Sequence, residues 1–151
     1  KKKNKNLKLH MVGKLQTNKV KLALKVFDFI HSLDNLKLAK KISDEQKKNL
    51  IKPKIFIQVN IGKEVQKSGL NEDNLLDFYN ECLNLDLNIV GTMCLPPIDK
   101  DSSIFFSEMK KLNSILKLNE LSMGMSEDFL KAIEFYSTYL RIGSKIFGKR
   151  S

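Results

Sequence analysis

Several residue types and patterns are rare or missing in this sequence, and each shortage removes a class of protein. No apolar run reaches the roughly 18 residues that a membrane-spanning helix needs, and no signal peptide is evident. The only cysteines, Cys82 and Cys94, have neither metal-ligand spacing nor the density of a disulfide framework. We therefore expect a cytoplasmic protein of one domain, residues 1–151, whose thiols are free and which contacts no membrane.

Arginine is also scarce, and this bears on the meaning of the net charge of +10. Arg141 and Arg150 are the only arginines, and the lysines are spread among asparagines along the whole chain instead of forming one stripe. Base readout and bidentate phosphate contacts favour arginine. The composition therefore argues against specific nucleic-acid binding. A basic RNA-binding module stays open as an alternative, and a strongly salt-dependent association would reveal it.

Two local patterns are absent as well. No Gly-x-Gly-x-x-Gly fingerprint follows an apolar run, so a dinucleotide-binding fold has little support, and no Asn-Gly pair signals a hairpin. Instead, short apolar runs alternate with segments of helical periodicity six times, which predicts βαβ units and a parallel sheet. The predicted strands cover residues 9–13, 29–33, 54–60, 87–93, 120–123 and 139–142.

The segments between these strands carry apolar residues at helical spacing. We expect Thr17 or Asn18 to cap the first helix, and we expect an apolar stripe along the third helix at Leu75, Leu76, Tyr79 and Leu83. Six strand–helix units do not close an eight-stranded barrel. Because the first residue is a lysine, we expect the two missing strands to lie upstream of this sequence.

The last third of the chain contains two turns that are opened by glycine and serine. Gly124 is followed by Ser126, a residue favoured at helix N-caps, and a helical pattern then runs to Tyr136. Gly143 and Ser144 follow the next apolar run. Unpaired backbone N–H groups at such turns bind anions, and the loops after the last two strands of a barrel are the usual phosphate site. The pattern predicts a phosphorylated ligand, although two well-capped turns without a ligand remain an alternative.

Seven motifs in this order resemble the YggS/PROSC family of pyridoxal 5′-phosphate (PLP) homeostasis proteins, which are built on the alanine-racemase type of barrel. The motifs are Leu9-His-Met-Val-Gly-Lys-Leu-Gln-Thr-Asn-Lys, His31-Ser-Leu-Asp, Gln58-Val-Asn-Ile-Gly-Lys-Glu, Lys67-Ser-Gly, Gly91-Thr-Met-Cys-Leu-Pro-Pro, Leu121-Ser-Met-Gly-Met-Ser-Glu-Asp-Phe and Arg141-Ile-Gly-Ser-Lys-Ile-Phe-Gly-Lys-Arg. They span nearly the whole chain.

The resemblance implies an α/β fold, a (β/α)8 barrel of the TIM type that is incomplete here, with about six β/α units. It also implies a protein that binds PLP and buffers its supply, with no established catalytic reaction. The partners that follow are PLP and the PLP-dependent apoenzymes that receive it, and the full-length protein is expected to be a monomer. A PLP-dependent amino-acid racemase on the same scaffold is the alternative function.

The matching positions also imply a set of cofactor-binding residues. Ser122, Met123 and Gly124 would line the cofactor, Ser137, Thr138 and Gly143 would hold its phosphate, and Arg141 would lie beside it. In the related racemases the matching arginine faces the pyridine nitrogen. A cation at that position keeps the ring nitrogen unprotonated, which makes the ring a poor electron sink.

The sequence departs from the family pattern at several positions. The Schiff-base lysine and the Phe-Gly-Glu-Asn segment near the family's N-terminus have no counterpart here. Lys14 lies at a predicted strand end where the family usually has histidine, and we favour a surface lysine over a substitute for the missing one. Leu9 replaces a tryptophan, and Tyr136 replaces a glycine whose backbone freedom the phosphate turn would use.

Other candidates for chemistry are weaker. A racemase needs an acid–base pair, commonly lysine and tyrosine, but Tyr79 and Tyr136 fall on predicted helices and Tyr139 begins a predicted strand, so we expect all three to pack in the core. His10 and His31 have no ligand spacing around them. We expect them to be hydrogen-bonded histidines of the core or of the strand ends.

Overall fold

The computed structural model describes residues 6–148, in which six parallel strands form one sheet whose strand order follows the chain. This sequential order is that of a singly wound barrel, because a doubly wound sheet reverses direction at a switch point. The predicted strand–helix units and the incomplete barrel are therefore confirmed. The strands are β1 (His10–Met11), β2 (Phe29–Leu33), β3 (Lys54–Val59), β4 (Ile89–Cys94), β5 (Glu120–Met125) and β6 (Tyr139–Arg141).

Helices connect the successive strands and cover one face of the sheet. Two of them begin at side-chain caps, since Asn35 Oδ1 accepts the N–H of Leu38 at 2.9 Å and Asp101 Oδ1 accepts the N–H of Ser103 at 3.1 Å. Within residues 6–148, no helix combines the length and hydrophobicity required to span a bilayer. The helices are α1 (Val20–Val26), α2 (Leu36–Asn49), α3 (Leu75–Asn84), α4 (Ser102–Ile115), α5 (Phe129–Glu134) and α6 (Ser144–Phe147), with 3₁₀ turns at Thr17–Lys19 and Glu72–Asn74.

The predicted caps and stripes are only partly correct. Neither Thr17 nor Asn18 caps α1, because a 3₁₀ turn precedes that helix and no side chain accepts from its first N–H groups. The buried face of α3 is not the predicted apolar stripe, because Leu76 and Leu83 are exposed. The buried side of this helix is formed instead by Leu75, Phe78 and Cys82.

Four helices end in the same way, with a non-glycine residue in the left-handed region of backbone space. The residue after it donates its N–H to the carbonyl oxygen five positions earlier, which is the Schellman arrangement. Glycine usually occupies this position because a Cβ is strained there, yet none of the chain's seven glycines does so at these four ends. The residues are Leu50 (φ 54°), Asp86 (φ 56°), Lys117 (φ 54°) and Tyr136 (φ 67°).

Tyr136 therefore lies beyond the end of α5 and not on it. Its side chain is 67% exposed, and the ammonium group of Lys110 lies 3.7 Å from the centre of its ring. The prediction that this tyrosine packs in the core is wrong. Its left-handed backbone explains why glycine would suit this position.

The sheet separates two sets of packed side chains. On the helix side, apolar residues of all the strands pack against the helices in one large cluster, which includes Ile55, Ile57 and Phe106. On the inner side, aromatic rings meet across the sheet. His10 on β1 and Tyr139 on β6 have ring centroids 5.6 Å apart, although their strands are the first and last of the sheet. The sheet is therefore curled, and its inner face is a narrow space.

The strain at the end of α2 can be tested by the change Leu50→Gly. Leu50 is 94% exposed, so little packing is lost, and glycine adopts the left-handed conformation without the Cβ clash. We expect the free energy of unfolding, measured with urea, to rise by about 1 kcal/mol. The control Leu22→Gly alters another exposed leucine, but inside α1, and should lower it by about 1 kcal/mol. Equal destabilisation by both changes would contradict the assignment of strain.

Candidate functional site

The candidate site lies where the carboxyl ends of the strands meet on the inner side of the sheet. β6 pairs with β5, and Arg141 is the register partner of Met125, so the ends of these two strands are adjacent. A cavity of about 490 Å³ opens beside them, a volume within the usual range for small-molecule sites. Its lining comprises His10, Val12, His31, Tyr139, Leu140, Arg141, Ile142 and Gly143.

Arg141 supplies the positive charge of this cavity. Its Nη1 donates to Ser122 Oγ at 2.7 Å, and its Nη2 donates to the backbone oxygen of Cys94 at 2.8 Å. Its third donor, Nε, is buried and has no hydrogen-bond partner among the described residues. Burial lowers the pKa of the guanidinium, although an arginine remains protonated at neutral pH. The side chain is thus a fixed cation whose Nε–H is unpaired among the described residues.

Ser122 links Arg141 to two histidines. Its hydroxyl oxygen lies 2.9 Å from His31 Nδ1, and His31 Nε2 lies 2.9 Å from His10 Nδ1. Both rings are held by stacking, His10 on Phe29 at a centroid distance of 4.1 Å and His31 on Phe56 at 4.2 Å. The expectation that these histidines are hydrogen-bonded is confirmed.

Both histidines are held in the neutral form. Burial, together with the nearby His10 and Arg141, lowers the pKa of His31 to about 3, and burial lowers the pKa of His10 although Asp28 opposes this effect. Tyr139 contacts both rings and lies against Phe29 and Phe56 as well, and burial raises the pKa of its phenol. Near neutral pH the inner face therefore carries the charge of Arg141 alone among these four titratable side chains.

Ser126 joins the two turns that the sequence singled out. Its Oγ accepts the N–H of Gly143 at 3.1 Å and that of Lys145 at 3.4 Å. The prediction that Ser126 caps the next helix is wrong, because α5 begins later, after Asp128, whose Oδ1 accepts the N–H of Met125 at 2.7 Å. Two backbone N–H groups thus point at one oxygen atom, which makes this turn suitable for binding an acceptor oxygen.

The side chains predicted to line the cofactor do not all lie on the inner face of the sheet. Ser122 reaches the inner face through its bonds to Arg141 and His31. Met123 is fully buried in the cluster on the helix side, so only its backbone is near the cavity. Gly124 has φ +89°, and a Cβ there would lie 2.6 Å from the Cβ of Ala132. Glycine is required at this position because β5 ends close against α5.

Ser137 and Thr138 are not brought together with Gly143. They precede β6, whereas Gly143 follows it, so Thr138 and Gly143 lie at opposite ends of this strand, at most roughly 16 Å apart at about 3.3 Å per extended residue. Their hydroxyl groups are already bonded: Ser137 Oγ donates to the backbone oxygen of Met123 at 2.7 Å, and Thr138 Oγ1 accepts the N–H of Leu121 at 2.8 Å. The geometry therefore supports a role in joining β6 to β5 and does not support the predicted phosphate contact.

Several other candidates lie outside the site. Lys14 is exposed and does not line the cavity. Burial raises the pKa of both Cys82 and Cys94 to about 12, which leaves two unreactive thiols. No cluster of potential metal ligands occurs in residues 6–148. Two cavities of similar size, 430 and 420 Å³, lie beside α4 and near the start of β2, but neither is lined by Arg141 or by a histidine.

Sequence reasoning missed the connection between the histidines and Arg141. Ser122 and His31 are 91 residues apart, so no local spacing could reveal their contact. One signal was available: parallel pairing of β1 with β2 sets His10 opposite Phe29, so His10 and His31 share the inner face of adjacent strands. The proximity of His10 and His31 can therefore be inferred once the register of β1 against β2 is known.

The neutral state of His31 predicts a loss of stability in acid. Its ordinary pKa is 6.5 and its pKa in the folded protein is about 3, so below pH 6.5 the unfolded chain binds a proton that the folded chain does not. We expect the free energy of unfolding to fall by up to about 1.4 kcal/mol for each pH unit below 6.5, as measured by urea unfolding between pH 7 and pH 5. His31→Gln should show a flatter profile, and identical slopes in both proteins would refute the assignment.

The comparisons with known proteins agree with this geometry. The family model for the alanine racemase N-terminal domain matches residues 2–151. The pyridoxal phosphate homeostasis protein of Aquifex aeolicus is 38% identical over 155 residues, which cover 96% of this chain and 68% of that protein. PipY of Synechococcus elongatus PCC7942 has 29% identity, with a TM-score of 0.91 without PLP (97% of this chain, 74% of that one) and 0.89 with PLP bound (97% and 73%).

These matches run through the whole sheet and both turns of the candidate site. This chain spans about two thirds of the length of the Aquifex aeolicus relative. The matched family model covers far more than half of the chain, and the identity of 38% lies well above the level at which a fold alone is shared. The chain belongs to the pyridoxal phosphate homeostasis protein family, within the group of proteins that contain the alanine racemase N-terminal domain.

Proposed function

We propose that this chain binds PLP at the carboxyl ends of β5 and β6 and acts in vitamin B6 homeostasis. The observation that carries the proposal is Arg141, a cation that lines a cavity beside the turn of Ser126 and Gly143 and whose buried Nε–H has no partner among the described residues. The similarity to PipY, whose structure includes a form with PLP bound, supports the same ligand.

The turn formed by Ser126 and Gly143 fits the phosphate. Two backbone N–H groups donate to Ser126 Oγ, and a phosphate oxygen at this turn would likewise accept from backbone N–H groups. Ser126 is buried, and among residues 6–148 its hydroxyl proton has no acceptor. A phosphate oxygen would supply one, in a charge-assisted hydrogen bond. In this proposal Ser126 and Gly143 take the phosphate role, and Ser137 and Thr138 do not.

Arg141 fits the other end of the ligand. A guanidinium can only donate, so its unpaired Nε–H suits an acceptor such as an unprotonated pyridine nitrogen. When bound, PLP supplies an aldehyde and an electron-accepting ring, and a cation beside the nitrogen weakens the second property. Among the described residues no lysine lines the cavity, so these contacts would hold the ligand without a covalent bond.

The side chains of the inner face favour binding of PLP without catalysis. A racemase would need a tyrosine or a lysine placed as a base. Tyr136 is exposed beyond α5, and Tyr139 is packed among four rings with a raised pKa. Transfer of PLP to apoenzymes and a monomeric full-length state belong to the same proposal.

The two models of the phosphate contact can be separated with two serine variants. We expect Ser126→Ala to weaken PLP binding about tenfold, the loss of one hydrogen bond to a charged group. Ser137→Ala should keep the affinity for PLP and lower the free energy of unfolding, because its hydroxyl bonds the backbone of β5. Equilibrium dialysis with absorbance detection of PLP measures the first quantity, and urea unfolding measures the second.

Pyridoxal, which lacks the phosphate, is the matched ligand control. Ser126→Ala should bind pyridoxal as the unaltered chain does, since only the phosphate contact is removed. The proposal is refuted if the unaltered chain binds PLP no better than pyridoxal. It is also refuted if Ser137→Ala weakens PLP binding as much as Ser126→Ala does while remaining folded by circular dichroism.

A further inference from the structure

The contacts between Arg141, Ser122, His31 and His10 raise a question of direction, because a hydroxyl and an imidazole can each donate or accept. The three distances are 2.7, 2.9 and 2.9 Å, all within hydrogen-bond range. Each neutral imidazole carries one proton, on either Nδ1 or Nε2. Two arrangements are therefore possible, one running from Arg141 to His10 and one in which the histidine bonds run the opposite way.

The hydroxyl of Ser122 decides between them. Arg141 can only donate, so it uses a lone pair of Ser122 Oγ and leaves the Ser122 proton to be accepted elsewhere. Ser122 is fully buried, and among residues 6–148 His31 Nδ1 is the only acceptor within reach of that proton. In the opposite arrangement His31 would donate to Ser122, and a buried hydroxyl proton would be left without an acceptor, which is costly.

A doubly protonated His31 is disfavoured by its surroundings. The charged and titratable groups that face the two rings are Arg141 on β6, Asp28 next to β2 and Tyr139 on β6. Arg141 repels a second positive charge at His31, and Asp28 acts on His10 instead. Both rings are consequently neutral, with one proton each.

We propose that the four side chains form a hydrogen-bond chain with one direction, in which Arg141 donates to Ser122, Ser122 to His31, and His31 to His10, so that His10 presents Nε2–H to the ligand cavity. The direction requires His31 to carry its proton on Nε2, and His10 then accepts at Nδ1 and keeps its own proton on Nε2. Stacking on Phe29 fixes the plane of the His10 ring. Its Nε2 lies on the side of the ring away from His31, and His10 lines the cavity with Arg141.

The ligand group that this donor would take is an oxygen acceptor. This part of the inference rests on the proposed binding of PLP, whose phenolic and aldehyde oxygens are acceptors of that kind. Ser122 and His31 are then positioning residues, because they act on the ligand through Arg141 and His10. The direction of the chain itself is a property of the protein without ligand, and it can be tested without PLP.

Nuclear magnetic resonance of the 151-residue chain with ¹⁵N-labelled histidine tests the direction. Long-range proton–nitrogen correlations report which ring nitrogen carries the proton. We expect Nε2–H and an unprotonated Nδ1 in both His10 and His31 near pH 7. A proton on Nδ1 of either ring overturns the proposal.

A pair of serine variants tests whether Ser122 sets the direction. Ser122→Ala removes the donor to His31 Nδ1, so the form with Nδ1–H should become populated in both rings. Ser32→Ala is the matched control, because Ser32 is also buried and lies next to His31, yet its hydroxyl has no partner among the described residues. It should leave both rings unchanged, and an identical response of the two variants overturns the proposal.

The donor role of His10 is tested with PLP. His10→Phe keeps the ring stacked on Phe29 but removes the donor, and should weaken PLP binding about tenfold, whereas His10→Gln, which keeps an N–H donor, should recover most of that loss. Unchanged affinity in His10→Phe overturns the donor role. If the unaltered chain fails to bind PLP while its histidines carry Nε2–H, the proposed function fails and the direction of the chain stands.

Discussion

A buried guanidinium that forms no ion pair with the described residues is the constraint on which the inner face of this protein depends. None of the ion pairs among residues 6–148 includes Arg141. A buried cation is costly unless its donors are accepted, and here two neutral oxygens, on Ser122 and Cys94, accept two of them. Neutral acceptors satisfy the hydrogen bonds without cancelling the charge. The positive potential therefore remains available to a ligand, and the buried Nε–H is left without a partner among the described residues.

Burial and the same cation together keep His31 neutral. A second positive charge next to Arg141 is unfavourable, and the low pKa of His31 follows from burial first, then from the nearby His10 and Arg141. Neutral imidazoles can stack closely on Phe29 and Phe56, which lets polar and aromatic side chains share one small interior. The aromatic packing and the polar chain thus occupy the same small interior, in which the hydrogen-bond acceptors of Arg141 are neutral oxygens.

Much of this architecture could be predicted from the sequence, and the limits have physical causes. The alternation of apolar runs and helical periods depends on short-range patterns, so all six strand–helix units were found in order. The ends of helices depend on a few backbone angles. Leu50 and Tyr136 adopt the left-handed backbone conformation, which cannot be predicted from a leucine or a tyrosine in the sequence. The sequence drew attention to the motif with Ser126, but the hydroxyl of Ser126 bonds Gly143 and not the first turn of α5. The polar chain links β2 to β5, a contact that only strand order and register can reveal.

The direction of the hydrogen-bond chain bears on what the cavity can do with a ligand. An imidazole acts as a general base only through a free lone pair. If the chain runs from Arg141 to His10, His31 uses one nitrogen to accept and the other to donate, and His10 accepts at Nδ1 and carries its proton at Nε2. Neither ring then has a lone pair for a substrate proton. In the opposite direction His10 would expose an unprotonated Nε2 beside the cavity. Ser122, a buried serine that touches both Arg141 and His31, therefore favours a site that holds its ligand by donation over a site that removes a proton from it.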